Sequence, residues 1–135
     1  MTLFLIQSCQ TKGKQNKEYN SILKNCDEVD IIYLSKDTFT YNSKDTATIS
    51  VFTGLISDQN EVSQFFADAC QTTQKLIYKA KGQQIFTADI SIVTNKDAVG
   101  CNFVMYFINS KMYRNKLTYR AGMAIDQIHS YKVKY

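Results

Sequence analysis

The sequence predicts an α+β domain: a mostly antiparallel sheet, in the order β-β-α-β-β-β-β-α, with helices packed on one face. Three observations carry this. Asp58 to Gln71 (DQNEVSQFFADACQ) has the start signal and apolar period of an amphipathic helix. The strand-like runs after it are separated by turns too short for a parallel crossover. A second helical pattern closes the chain.

The Asp58 helix opens on an acid followed three residues later by Glu61, a capping-box arrangement in which each side chain reaches the other's backbone N–H. Both acids also complement the positive end of the helix dipole. Val62, Phe65, Phe66, Ala69 and Cys70 then fall on one face, with Ser63, Gln64, Asp68 and Gln71 opposite. Burying each phenylalanine contributes about 1.5–3 kcal/mol, so this face is read as core.

The remaining elements follow in order. Tyr19 to Asn25 is expected to form a short helical turn. Glu28 to Ser35 reads as a first strand, with Val29, Ile31 and Tyr33 on one face and Asp30, Ile32 and Leu34 on the other. Lys36 to Asp45 reads as a polar connection interrupted by Phe39-Thr40-Tyr41. Thr46 to Thr53 alternates Ala47, Ile49 and Val51 against Thr48, Ser50 and Phe52, the pattern of a half-buried strand ended by Gly54. After the helix, Gln74 to Lys81 and Ile85 to Val93 flank a turn containing Gly82. Cys101 to Ile108 is apolar on both faces and is expected to be central. Asn109-Ser110-Lys111 turns the chain into a returning strand, Met112 to Leu117. Thr118 caps a final helix, Tyr119 to about Ser130, with Ala121, Ile125 and Ile128 inward.

The chain has 135 residues, enough for one domain that buries roughly two-thirds of its extended-state surface. A composition 44% hydrophobic and 21% charged belongs to a globular chain and not a disordered one. Net charge is +4, with the lysines scattered; there is no basic stripe of the kind that neutralises many phosphates.

The start of the chain has a different character. Residues 2–7 are apolar and run into Ser8-Cys9, after which a Lys/Gln/Asn-rich stretch follows. Ile6-Gln7-Ser8-Cys9 resembles a bacterial lipobox, in which a small residue precedes the cysteine whose sulfur is alkylated by lipid. Gln7 departs from the usual pattern. Only eight residues precede Cys9 and none is basic, so the reading requires a true start upstream. On it, residues 1–8 are the remnant of a signal peptide, 9–20 a tether and 21–135 a single α+β domain, lipid-anchored in the cell envelope. Without it, the protein is placed in the cytoplasm.

Catalytic and metal signatures are missing. There is no GxGxxG, P-loop, HExxH or GxSxG, and no Cys/His spacing that suits zinc. The expectation is a protein that is not an enzyme and needs no cofactor. His129 is the single histidine, read as a helix-end residue. With Cys9 lipidated, Cys26, Cys70 and Cys101 allow at most one bridge and leave one thiol; the pairing stays open. Cys70 is read as a buried thiol and Cys101 as structural, though Cys101 is the least implausible partner for His129. Asp27, Glu28 and Asp30 lack EF-hand spacing and are read as a solvated edge that discourages strand addition.

The best binding candidate is the aromatic-basic hairpin, with Tyr106, Tyr113, Arg114, Lys116, Tyr119 and Arg120. Interleaved tyrosine and arginine suit a protein-binding surface. The competing reading is cross-strand packing, with arginine stems covering the rings.

The Ser8–Lys14 start (SCQTKGK), the Asp30–Leu34 strand (DIIYL), the Asp58/Glu61 helix start and Tyr113–Gly122 (YRNKLTYRAG) together resemble small lipoproteins of the Bacteroidota type. The resemblance implies an envelope location and a small α+β fold, and supplies no catalytic residues. The leading expectation is an envelope lipoprotein with a small protein-binding domain, by analogy inhibitor- or immunity-like. One alternative is a ligand binder or enzyme with its site between helix and sheet. Another is a cytosolic nucleic-acid-binding protein.

Overall fold

A computed structural model describes residues 21–57, 70–92 and 101–134. Six antiparallel strands form one sheet: β1 (Glu28–Tyr33), β2 (Phe39–Ser43), β3 (Gln74–Ala80), β4 (Gln83–Ser91), β5 (Phe103–Ile108) and β6 (Lys111–Lys116). Their spatial order is β2-β1-β3-β4-β5-β6. Two helices, α1 (Thr46–Ser57) and α2 (Tyr119–Lys134), pack on one face, and residues 21–23 are also helical. The predicted α+β class and element order hold. The predicted helix from Asp58 to Gln71 lies, but for its last two residues, outside the described residues.

Register explains the two faces. Val29, Ile31 and Tyr33 stand opposite Tyr78, Leu76 and Gln74, while Ala88 and Ile90 continue the same face across β4. These apolar side chains meet Ile49, Phe52, Leu55 and Ile56 of α1 and Ala121 and Ile125 of α2 in a single core. Each fully buried aliphatic side chain contributes about 1.5–3 kcal/mol, so this layer contact dominates stability. The opposite face carries Asp30, Ile77, Thr87 and Asp89. Two hairpins are closed by two-residue turns with positive φ at both positions, Lys81-Gly82 and Asn109-Ser110. That handedness matches the twist of the flanking strands.

Two expectations are corrected. Residues 46–53, read as a strand, are the first two turns of α1. Asp45 caps it: its Oδ2 accepts from the Thr48 backbone N–H and hydroxyl, both at 3.0 Å. These bonds hold the Asp45 carboxyl below its ordinary range. The buried residues Ile49, Phe52, Leu55 and Ile56 follow a helical period, and it emerges only when the window extends past Gly54. β-Branched richness misled because burial outweighs intrinsic preference. Conversely, Phe39–Ser43, read as part of a polar connection, is β2, held against β1 in part by stacking of Phe39 on Tyr33 at 4.4 Å.

The acidic edge is also corrected. β1 lies inside the sheet, between β2 and β3. Asp30 pairs with Lys79 at 2.6 Å and accepts from the Asn42 amide at 2.6 Å; Asp27 accepts from the Lys81 backbone N–H. Burial acts to raise the Asp30 carboxyl, but the Lys79 and Asn42 contacts prevail and hold it below its ordinary range. The acids fasten neighbouring strands.

Candidate functional site

The predicted hairpin residues do not form one surface. β5 and β6 pair Tyr106 with Tyr113 and Val104 with Asn115 on the helix-covered face. Tyr106 is buried and its ring stacks on Tyr113 at 5.7 Å. Arg114 and Lys116 stand on the opposite face, while Tyr119 and Arg120 belong to the first turn of α2. A two-residue period separates side chains that are close in sequence, so interleaved Tyr and Arg end on opposite sides of the sheet.

What the inward tyrosines do was not visible in the sequence. The Tyr78 hydroxyl donates to the Phe52 carbonyl at 2.6 Å, and Tyr106 donates to the Ile56 carbonyl at 3.4 Å. Asn115, 1% exposed, donates from Nδ2 to the Leu55 carbonyl at 3.0 Å and to the Tyr106 hydroxyl at 2.8 Å. Side chains of the sheet thus donate to three carbonyls in the last two turns of α1, those of Phe52, Leu55 and Ile56. Burial pushes the Tyr78 hydroxyl well above its ordinary range, so it stays a donor.

On the outer face of the same hairpin, Phe107 and Met112 form a cross-strand pair and are 56% and 36% exposed. The β4–β5 ladder runs only from Ser91 to Asp89 on β4, and beyond it opens a cleft of about 460 Å³ lined by Ile85, Thr87, Asp89, Met105 and Phe107.

A second cleft, of about 410 Å³, lies where α2 crosses the ends of β1 and β3. Tyr33, Ser35, Gln71, Gln74, Asp126 and His129 are among the residues that line it. The Tyr33 hydroxyl donates to the Ile125 carbonyl at 2.7 Å, and its ring lies 5.8 Å from that of His129. Burial pushes the Tyr33 hydroxyl above its ordinary range, with the Asp126 charge adding to it. His129 thus sits at a sheet–helix junction as well as near a helix end. Among the described residues it makes ring contacts and no side-chain hydrogen bond.

The cysteines are settled by geometry. Cys70 and Cys101 form a disulfide, so Cys70 is not a buried thiol and Cys101 cannot serve His129 as a nucleophile. The bridge ties the approach to β3 to that of β5, next to Gln71. Cys26 is the free thiol among the described residues. Burial pushes it up, away from the thiolate form a nucleophile needs. The described residues contain no group of three or more potential metal ligands, and no helix among them is long and apolar enough to cross a membrane. Set against protein-family models, curated proteins and solved structures, the chain matches none.

Proposed function

We propose that the protein is an envelope lipoprotein, anchored through Cys9, whose α+β domain binds another protein through the outer face of the β5–β6 hairpin. The observation that carries this reading is the Cys70–Cys101 disulfide. Disulfides persist in oxidising compartments and are rare where glutathione keeps thiols reduced. The bridge therefore favours the exported location over the cytosolic alternatives, and it agrees with the lipobox-like residues before Cys9. For binding, Phe107 and Met112 offer an exposed apolar pair beside Arg114 and Lys116, the composition of an interface centre with a polar rim. Tyr106 and Tyr113 support this surface from behind. An inhibitor- or immunity-like role fits the size of the domain by analogy.

Lipid labelling and membrane fractionation of the native gene with its upstream region, beside Cys9→Ala, test the anchor. Label on the wild type and none on the variant is the expected result. A soluble, unlabelled product removes the anchored reading. For the surface, a partner retained from the envelope fraction should be lost on Phe107→Glu or Arg114→Glu with the far-UV circular dichroism unchanged. Retention by both variants sinks the hairpin assignment. A second reading, ligand binding between helix and sheet, is favoured by the cleft beside His129.

A further inference from the structure

The cleft at Tyr33 and His129 contains a buried polar group whose hydrogen bonds are incomplete. Gln74 lies on the helix-covered face of β3, opposite Tyr33 on one side and Ile90 on the other. It is only 9% exposed and lines the cleft. Its Oε1 accepts from the Thr73 hydroxyl at 2.5 Å. Among the described residues its Nε2 donates to nothing. Exchanging the two ends of the amide does not remove the deficit. Nε2 would then donate to Thr73 Oγ1, whose proton would turn to the Ile90 carbonyl at 3.2 Å, and Oε1 would be the end without a partner. A buried donor with no acceptor is costly, and such a group in a native structure calls for a partner.

The rest of the lining says what that partner is. Among the described residues no lysine or arginine lines the cleft, and Asp126 contributes a carboxylate, so anions are disfavoured. Ile92 and Ile125 supply an apolar patch, and Asp126 and the Gln71 side chain supply acceptors. A volume of about 410 Å³ suits a small molecule and falls at the low end of ordinary ligand pockets. A carbonyl for Gln74, an N–H for Asp126 or Gln71 and a methyl for the isoleucines are the three parts of an acetamido group. We propose that this cleft binds a neutral small molecule through an acetamido group whose carbonyl oxygen accepts from Gln74 Nε2. The proposal is independent of the envelope anchor and of the hairpin surface.

Two sources share this chemistry, an N-acetylated sugar and a peptide unit. The test is a titration of the full 135-residue chain, disulfide intact, with N-acetylglucosamine and, separately, with N-acetylalanine N-methylamide. It is followed by ¹⁵N-resolved NMR of the Gln74 side-chain amide. The expected result is a saturable shift of that amide with at least one probe at a Kd tighter than about 10 mM. The tighter probe identifies the source. Gln74→Met should weaken binding about tenfold, because one hydrogen bond is lost, without lowering the unfolding midpoint. If Gln74→Met does not fold, Gln74→Glu keeps the shape and removes the donor, and the same weakening is expected. Absence of a saturable shift with both probes overturns the proposal. So does unchanged affinity in the variant that folds, or direct detection of a protein acceptor on the Gln74 Nε2 protons in the free chain.

Discussion

The two aromatic regions under the helices are built from the same parts and end in opposite conditions. Beneath α1, Tyr78, Phe86, Tyr106 and Tyr113 form a continuous row, with successive ring centroids less than 6 Å apart. Its polar tips are satisfied by helix carbonyls and by Asn115. At α2, Tyr33, Phe39 and His129 form a second group, but it borders a cleft and a glutamine amide whose nitrogen meets no acceptor among the described residues. A buried polar network with every group paired makes one arrangement rigid, whereas an unpaired buried group is costly until something supplies its partner, which at α2 is the acetamido ligand proposed above. The α1 region is therefore the structural end of the domain and the α2 region the receptive end.

The largest expected effect breaks the receptive end. Removing the disulfide with Cys101→Ser frees a loop with a sequence separation of 31. Chain entropy puts the loss near 3.5–4 kcal/mol, measured by urea unfolding. Because Gln71 follows the bridge directly, hydrogen-exchange protection should fall first around Thr73 and Gln74, while Tyr78 and Asn115 stay protected until global unfolding. Simultaneous loss at both ends would contradict the division.

Next is the structural end. Asn115→Ala leaves the Leu55 carbonyl without its sheet donor and removes the amide from the Tyr106 hydroxyl. Two buried groups losing partners should cost roughly 2–4 kcal/mol in urea unfolding. Gln74→Met, at a comparably buried position, should cost little, since the donor it removes has no acceptor among the described residues and the Thr73 hydroxyl keeps the Ile90 carbonyl as its partner. Equal losses from these two substitutions would erase the contrast.

A smaller effect is set by pH and sits on the opposite face. The folded Asp30 carboxyl titrates below its unfolded value, so its stabilisation is fully present above the unfolded pKa and is lost as pH falls through the folded one. Stability should therefore decline below about pH 4, and Asp30→Asn should flatten that decline. Asp45 acts in the same direction through the α1 cap. The smallest effect is at the hairpin turn. Ser110 has φ +66°, a conformation that glycine takes without strain, so Ser110→Gly should stabilise by about 0.5 kcal/mol. It should leave both aromatic regions untouched in NMR.

The α+β class, the order of elements, five of the six strands and the closing helix were legible because each rests on local information: alternation, a turn residue, a cap. β1 is the clearest case: Val29, Ile31 and Tyr33 share one face as the pattern indicated, and the fold turns that face inward. What the sequence could not decide was anything that depends on a distant partner. Thr46–Thr53 alternates well enough for a strand and became helix because Leu55 and Ile56 extend the buried face over the sheet. Phe39–Ser43 became a strand because Tyr33 lies beside it. Asp30 looked like an edge charge until Lys79 and Asn42 were placed against it. The choice of Cys70 with Cys101, the donation of Asn115 to the Leu55 carbonyl of α1 and the Gln74 amide nitrogen without an acceptor among the described residues were all decided by tertiary structure. Disulfide pairing and buried hydrogen bonding are properties of groups brought together across tens of residues, and local periodicity has no term for them.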